Sequence, residues 1–159
     1  MSKRDFVPAT LCYVRQNHQT LMLHRNRKPN DIHEGKWNGL GGKVEPGESP
    51  LDCVIREVRE ESGLTILDPT FKGFIAFPLF DGRRDWHVHL FTASRFTGSL
   101  IESPEGELRW IDTDRLLELP LWPGDRIFIP LLAQPGVFMG RFDYTHGQLA
   151  HHELTNFPV

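Results

Sequence analysis

Cysteine is scarce in this chain, with Cys12 and Cys53 the only 2 among 159 residues. They are too few for a disulfide framework and lack the spacing of a thiolate metal site. Two reduced thiols in a cytoplasmic protein are expected instead. Long apolar runs are missing too, and nothing approaches the roughly 20 residues that cross a bilayer. The opening Met1-Ser2-Lys3-Arg4-Asp5 leads into no signal-peptide core, so neither a membrane partner nor export is expected. No charge of one sign dominates: 18 Lys and Arg face 21 Asp and Glu, for a net charge of −3. Long nucleic acid, which favours a basic face, is therefore not an expected partner. A small anionic ligand stays open, because a bound cation can supply local positive charge. Repeats, low-complexity tracts and linkers are absent, which gives one domain over 1–159. A chain of that size can bury about 70% of its unfolded surface. The sequence leaves the oligomeric state open.

What is present is an α/β pattern. Ala9 to Val14 and Thr20 to His24 have the composition of two strands around a polar turn. A charged loop from Arg25 to Gly35 leads into the glycine-rich run Trp37-Asn38-Gly39-Leu40-Gly41-Gly42-Lys43. Strands are expected at Phe71 to Pro78, Trp86 to Phe96 and Glu107 to Ile111. A short helix capped by Asp112 or Thr113 is expected through Leu119, another helix over Arg126 to Gln134, and a closing hairpin that turns at Thr145-His146-Gly147. Strands mixed with a few helices make a layered α/β domain.

The clearest helix starts at Ser49, a good N-cap followed by Pro50 at the first helical position and by Asp52 three residues after the cap. Leu51, Val54, Ile55 and Val58 make one apolar stripe, and Gly63 is placed as a left-handed C-cap. Glu57, Glu60 and Glu61 stand at i, i+3 and i+4, within about 100° of arc. Three carboxylates that close repel one another unless a cation lies between them. Hard oxygen ligands on one rigid face suit Mg²⁺, which keeps waters for a phosphate ligand.

These glutamates sit in a longer pattern. Gly42, five residues, Glu48, seven residues, then Arg56-Glu57-Val58-Arg59-Glu60-Glu61-Ser62-Gly63-Leu64 resembles the Nudix box, G-x5-E-x7-R-E-U-x-E-E-x-G-U with U aliphatic, at every fixed position. Leu21 to Arg25, the Trp37 to Lys43 run, the Glu102-Ser103-Pro104-Glu105 segment and Leu121-Trp122-Pro123-Gly124-Asp125 are similar to the MutT/MutX branch of that family. This branch contains the 8-oxo-dGTP diphosphatases that sanitise the nucleotide pool.

The resemblance implies a Nudix fold, a mixed β-sheet sandwiched between helices in an α/β/α arrangement. It implies Mg²⁺, with Mn²⁺ as an alternative, held by Glu57, Glu60, Glu61 and the carbonyl of Gly42, with Glu105 as a further metal or base carboxylate. Arg56 is expected to orient a helix glutamate, and Glu48 to support the loop–helix junction. The general base is left open among Glu57, Glu60 and Glu105. The implied reaction is water attack on a triphosphate, which releases a nucleoside monophosphate and pyrophosphate. His24 or, better, Arg25 is a candidate for the outer phosphates.

For the base, Asn38 offers both a donor and an acceptor, and Trp122 a stacking surface. Asp125 matches the second of two adjacent acids that read the purine in one relative; the first is Gly124 here. His87 and His89 alternate along one strand and are expected on its polar face. The function implied is hydrolysis of 8-oxo-dGTP to 8-oxo-dGMP and pyrophosphate. The alternatives are a Nudix hydrolase of other substrates (dNTP, ADP-ribose, dinucleoside polyphosphate) and a nucleotide sensor without turnover, which would be expected to have lost helix carboxylates.

Overall fold

Alternating side chains along the first strand set up both layers of the molecule. In β1 (Phe6–Gln16) Cys12 and Val14 belong to one hydrophobic cluster and Tyr13 to the other, all three fully buried. A strand's period of two residues requires this. The computed structural model describes residues 4–27 and 29–158, so Met1 to Lys3 and Lys28 of the charged loop lie outside it. β2 (Gln19–His24) returns antiparallel through Asn17 and His18, both at positive φ. It repeats the pattern, with Leu21 and Leu23 on the Cys12 side and Met22 on the Tyr13 side.

The remaining strands are β3 (Trp37–Asn38), β4 (Thr65–Leu67), β5 (Thr70–Phe77), β6 (Asp85–Ala93), β7 (Arg95–Thr97), β8 (Glu107–Asp112), β9 (Val137–Thr145) and β10 (Gln148–Phe157). The main sheet runs β10-β9-β5-β6-β1-β2-β3, with β8 along the free edge of β2. β1 with β6 and β5 with β9 are parallel pairs and the others antiparallel, so the sheet is mixed. On the Cys12 face, α1 (Pro50–Ser62) packs Val54 and Val58. On the Tyr13 face lie a 3-10 turn (Thr113–Glu118), the short helix α2 (Asp125–Phe128) and a second 3-10 turn (Ile129–Ala133), which contribute Leu116, Phe128, Ile129 and Leu132. The result is the expected α/β/α sandwich. Among the described residues no helix is long and apolar enough to cross a membrane.

Several boundaries differ from expectation for local reasons. The Trp86 to Phe96 strand breaks at Ser94, and β7 leaves the main sheet to pair with β4. The Arg126 to Gln134 helix is four α-helical residues followed by a 3-10 turn, because Pro130 has no N–H to continue the ladder. Helix α1 keeps its reciprocal Ser49–Asp52 cap and ends on Gly63 at φ 83°. Its buried face keeps Val54 and Val58 of the expected stripe, with Ile55 packed against the same cluster, but Leu51 is 46% exposed and Cys53, Glu61 and Ser62 are buried beside them. The helix is turned towards polar groups that find partners inside. The Cys53 thiol sits 3.3 Å from Thr10 Oγ1, and Glu61 accepts a backbone bond.

Candidate active site

The glycine-rich run fills a fork between two strands. β1 and β2 pair only at their hairpin end, through Arg15 with Thr20 and Gln16 with Gln19. Beyond it Trp37 and Asn38 pair with His24 and Leu23, while the following residues bond to β1. Cys12 N–H donates to Leu40 O at 2.6 Å, Thr10 N–H to Gly42 O at 2.9 Å and Val44 N–H to Pro8 O at 2.9 Å. A Cβ on Gly41 would lie 2.0 Å from Thr10 O, so this approach admits no side chain.

The wedge decides which peptide groups face β1 and which face the helix. The Gly42 carbonyl, expected among the metal ligands, accepts from Thr10 N–H in the ladder with β1. Gly41 turns the other way, and its N–H donates to Glu61 Oε1 at 2.8 Å. A Cβ on Gly42 would lie 2.5 Å from Glu57 Cδ, so glycine there lets the carboxylate rest against backbone.

The three helix glutamates are not equivalent. Glu61 is 5% exposed, and burial, together with Glu57 and Glu105, pushes its pKa up to about 8 against the opposing Gly41 bond. Glu57 is half-buried and also raised, by desolvation first and by Glu60 and Glu105 next. Glu60 lies on the rim with its side chain 59% exposed, about 100° round the helix from Glu61. Glu57 and Glu60 meet at one nitrogen: Arg56 Nη1 is 2.8 Å from Glu57 Oε1 and 3.2 Å from Glu60 Oε2. The same guanidinium grips Glu48 through Nε at 2.6 Å and Nη2 at 2.9 Å and donates to Lys43 O at 3.1 Å. Arg56 therefore fastens the loop to the helix, and with the Glu45 N–H holds Glu48 down at about 2.

Glu105 reaches this cluster from the loop before β8. Its Oε2 lies 3.4 Å from Arg25 Nη2, and Arg25 also binds Asp31 through Nε at 3.0 Å and Nη2 at 2.9 Å. Arg25, expected on the outer phosphates, is thus held between two carboxylates. His24 stacks on Trp37 at 4.6 Å. Among the described residues no three His, Cys, Asp or Glu side chains stand as a preformed cation cage. Glu57 and Glu60 are drawn to Arg56, and Glu105 to Arg25.

A cavity of about 420 Å³ joins this acidic end to an aromatic one. Glu57, Glu61, Glu105, Gly41 and Gly42 line the first, and Asn38, Phe77, Phe80, Trp122, Asp125, Tyr144 and His33 the second. Asn38 is buried, and its Nδ2 has no partner among the described residues. Asp125 is 7% exposed, and burial raises its pKa to about 8 against the pull of Arg126 and Lys36. Trp122 is boxed by Phe80 and Tyr144 at 5.0 and 5.4 Å, with Lys36 Nζ 5.4 Å over its ring. Gly124 has a steric reason: a Cβ there would lie 2.3 Å from Phe142 Cδ2, and its N–H donates to Tyr144 Oη at 2.7 Å. An acidic side chain has no room at that position.

The sequence brought Glu57, Glu61, Glu105, Asn38, Trp122 and Asp125 to one cavity, and left out His33, Phe80 and Tyr144. Nothing in periodicity marked His33 or Phe80, which stand outside strands and helices. His87 and His89 do not line this cavity; they pack among Phe6, Phe71 and Phe74.

Residues 5–132 match the NUDIX domain model. The chain is 37% identical over 141 residues to the Nudix hydrolase YvcI of Bacillus subtilis, which covers 86% of this chain and 85% of that protein. It is 36% identical over 135 residues to an oxidized purine nucleoside triphosphate hydrolase of Mus musculus, with 85% of each covered. The crystal structure of a mutator MutT protein from Bacillus halodurans superposes with a TM-score of 0.83 at 34% identity, covering 93% of this chain and 97% of that one.

Proposed function

The chain belongs to the Nudix family and is a Nudix hydrolase, and from that premise we propose that it is a Mg²⁺-dependent nucleoside triphosphate pyrophosphohydrolase converting 8-oxo-dGTP to 8-oxo-dGMP and pyrophosphate. Sanitation of the cytoplasmic nucleotide pool, and through it protection of DNA, is the proposed role. The observation that carries this reading is the two-ended cavity, with oxygen ligands at one end and an aromatic, hydrogen-bonding pocket at the other.

The acidic end fits a hard divalent cation. Its donors are oxygens, and Glu57 and Glu61 are both raised by burial and by neighbouring carboxylates, a penalty that a cation relieves. Glu57, Glu61 and Glu105 would hold it, with a backbone oxygen from Gly41 rather than from Gly42, and with Glu60 reaching in from its place on Arg56. When bound, Mg²⁺ or Mn²⁺ supplies phosphate-charge neutralisation and a water of lowered pKa.

The protein's own groups do the rest. Glu57 or Glu105 accepts the proton of the attacking water. Arg56 fixes the orientation of Glu57, and Arg25 that of Glu105, a positioning role in place of the expected phosphate contact. Trp122, Phe77, Phe80 and Tyr144 exclude water around the base. Asn38 and Asp125 meet the purine edge, where oxidation at C8 adds a carbonyl and turns N7 from acceptor to donor.

Pyrophosphate release over a panel of nucleotides tests the assignment. Asp125→Ala is expected to lower kcat/KM for 8-oxo-dGTP by about 5- to 150-fold, the cost of leaving a buried polar group of the base without its partner, with a smaller loss on dGTP. Equal losses on both would assign Asp125 to loop structure. Inorganic phosphate as the primary product would contradict the reaction class.

A further inference from the structure

His33 is a cavity-lining residue that neither the Nudix box nor its flanking segments include. Its ring is held by two aromatic neighbours. Trp122 Nε1–H donates to His33 Nδ1 at 2.8 Å, and the two rings meet edge-on at 5.6 Å. Phe80 lies stacked at 5.9 Å. The backbone beneath is equally determined: His33 N–H donates to Asp31 Oδ1 at 3.1 Å, and Asp31 is bound in turn by Arg25. Lys36 N–H and Gly35 N–H close the loop onto His33 O and Arg25 O at 2.9 and 2.8 Å.

The chemistry of the pair fixes where the imidazole proton sits. An indole N–H only donates, so Nδ1 must present its lone pair. A neutral imidazole that accepts at Nδ1 carries its proton at Nε2. Burial beside Arg25 also disfavours the doubly protonated ring, lowering its pKa to about 4 against the attraction of Asp31. Among the described residues Nε2–H has no hydrogen-bond partner. The cavity's aromatic end therefore holds a donor of set identity, on the same tryptophan wall whose chain leads within one turn to Asp125, with Asp125 N–H bonded to Trp122 O at 3.0 Å.

We propose that His33 is a specificity-determining residue of the nucleobase pocket, locked by Trp122 as the Nε2–H tautomer so that it donates a hydrogen bond to an acceptor atom on the base. The proposal rests on the nucleotide-hydrolase reading for its substrate and on the His33–Trp122 geometry for its chemistry. It assigns the pocket three polar readers: Asn38 can donate and accept, Asp125 accepts when ionised, and His33 only donates. A base with a carbonyl or ring-nitrogen acceptor facing His33 is favoured over one that presents an amino group there.

Two measurements test it. Nitrogen-15 spectra of the histidine rings should show His33 with an unprotonated Nδ1 and a protonated Nε2. Titration with a purine nucleoside monophosphate should move the Nε2–H resonance, while pyrophosphate alone should leave it in place. This arm needs no turnover, so it decides the proposal even if no triphosphate is hydrolysed, a result that would sink the hydrolase reading instead. A protonated Nδ1, or a resonance indifferent to the purine, overturns the proposal. In kinetics, His33→Phe keeps the ring contact with Phe80 but loses the donor. It should raise KM for the purine triphosphate by about tenfold with a much smaller change in kcat. A fall in kcat with KM unchanged would assign His33 to loop architecture and overturn it.

Discussion

The Gly41 amide donates to Glu61 Oε1 at 2.8 Å, and this bond joins the glycine wedge between β1 and β2 to helix α1. It explains why a glutamate occupies the buried side of an amphipathic helix. It also accompanies a small rotation of the helix that leaves Leu51 exposed while Val54 and Val58 stay buried.

Gly41→Ala should therefore disrupt both partners. Its Cβ would meet Thr10 O at 2.0 Å, backbone against backbone, with no flexible side chain to yield. A loss of at least about 2 kcal/mol in unfolding free energy is expected by chemical denaturation. Wild-type stability in that variant would show that the wedge can shift without cost.

The glutamates should separate by their depth. Glu57 lines the cavity, whereas Glu60 is on the rim with Arg56 as its partner. Glu57→Gln should lower kcat for pyrophosphate release at saturating Mg²⁺ by a hundredfold or more, and Glu60→Gln by less. The thermal midpoint of Glu57→Gln should not fall, because burial and Glu60 and Glu105 disfavour the charge that is removed while a glutamine can still accept from Arg56. A Glu57→Gln enzyme with nearly native kcat would remove this residue from the metal and proton-transfer roles.

Asp125 should make stability depend on pH. Its folded pKa is raised to about 8 by burial, above the usual carboxylate value of 3.8. The unfolded chain therefore releases the proton first as pH rises. The stabilising contribution is complete below about 4 and is lost as pH rises through about 8. Asp125→Asn should flatten that part of the profile of melting temperature against pH. An unchanged slope between pH 5 and about 8 would place the dependence elsewhere.

Local features were legible wherever the cause is local. Ser49, Asp52 and Gly63 mark helix ends through bonds within one turn of chain, and they cap α1 as expected. The Nudix box carries the helix carboxylates at fixed spacing. The hairpin of β9 and β10 announced itself through His146 and Gly147, both at positive φ. What escaped was set by distant partners. Leu51 looks like a core residue by periodicity, but it is exposed because Glu61 and Cys53 find polar partners across the interface with β1 and the wedge.

Spacing and side-chain chemistry specify the capped helix, its glutamates and most of the strands, and the resemblance of Gly42 to Leu64 to the Nudix box carries the family. Tertiary structure alone decided which groups act together. The Gly41 N–H turns to Glu61 because alternate peptide groups of a paired segment point to opposite sides, and β1 takes the Gly42 carbonyl. Arg25 is held in place because Asp31 and Glu105 converge on it from separate loops. His33 becomes a fixed donor because an indole 89 positions along the chain lies 2.8 Å away. Such long-range contacts leave no period or spacing in the chain, since each depends on the path of every element between the partners.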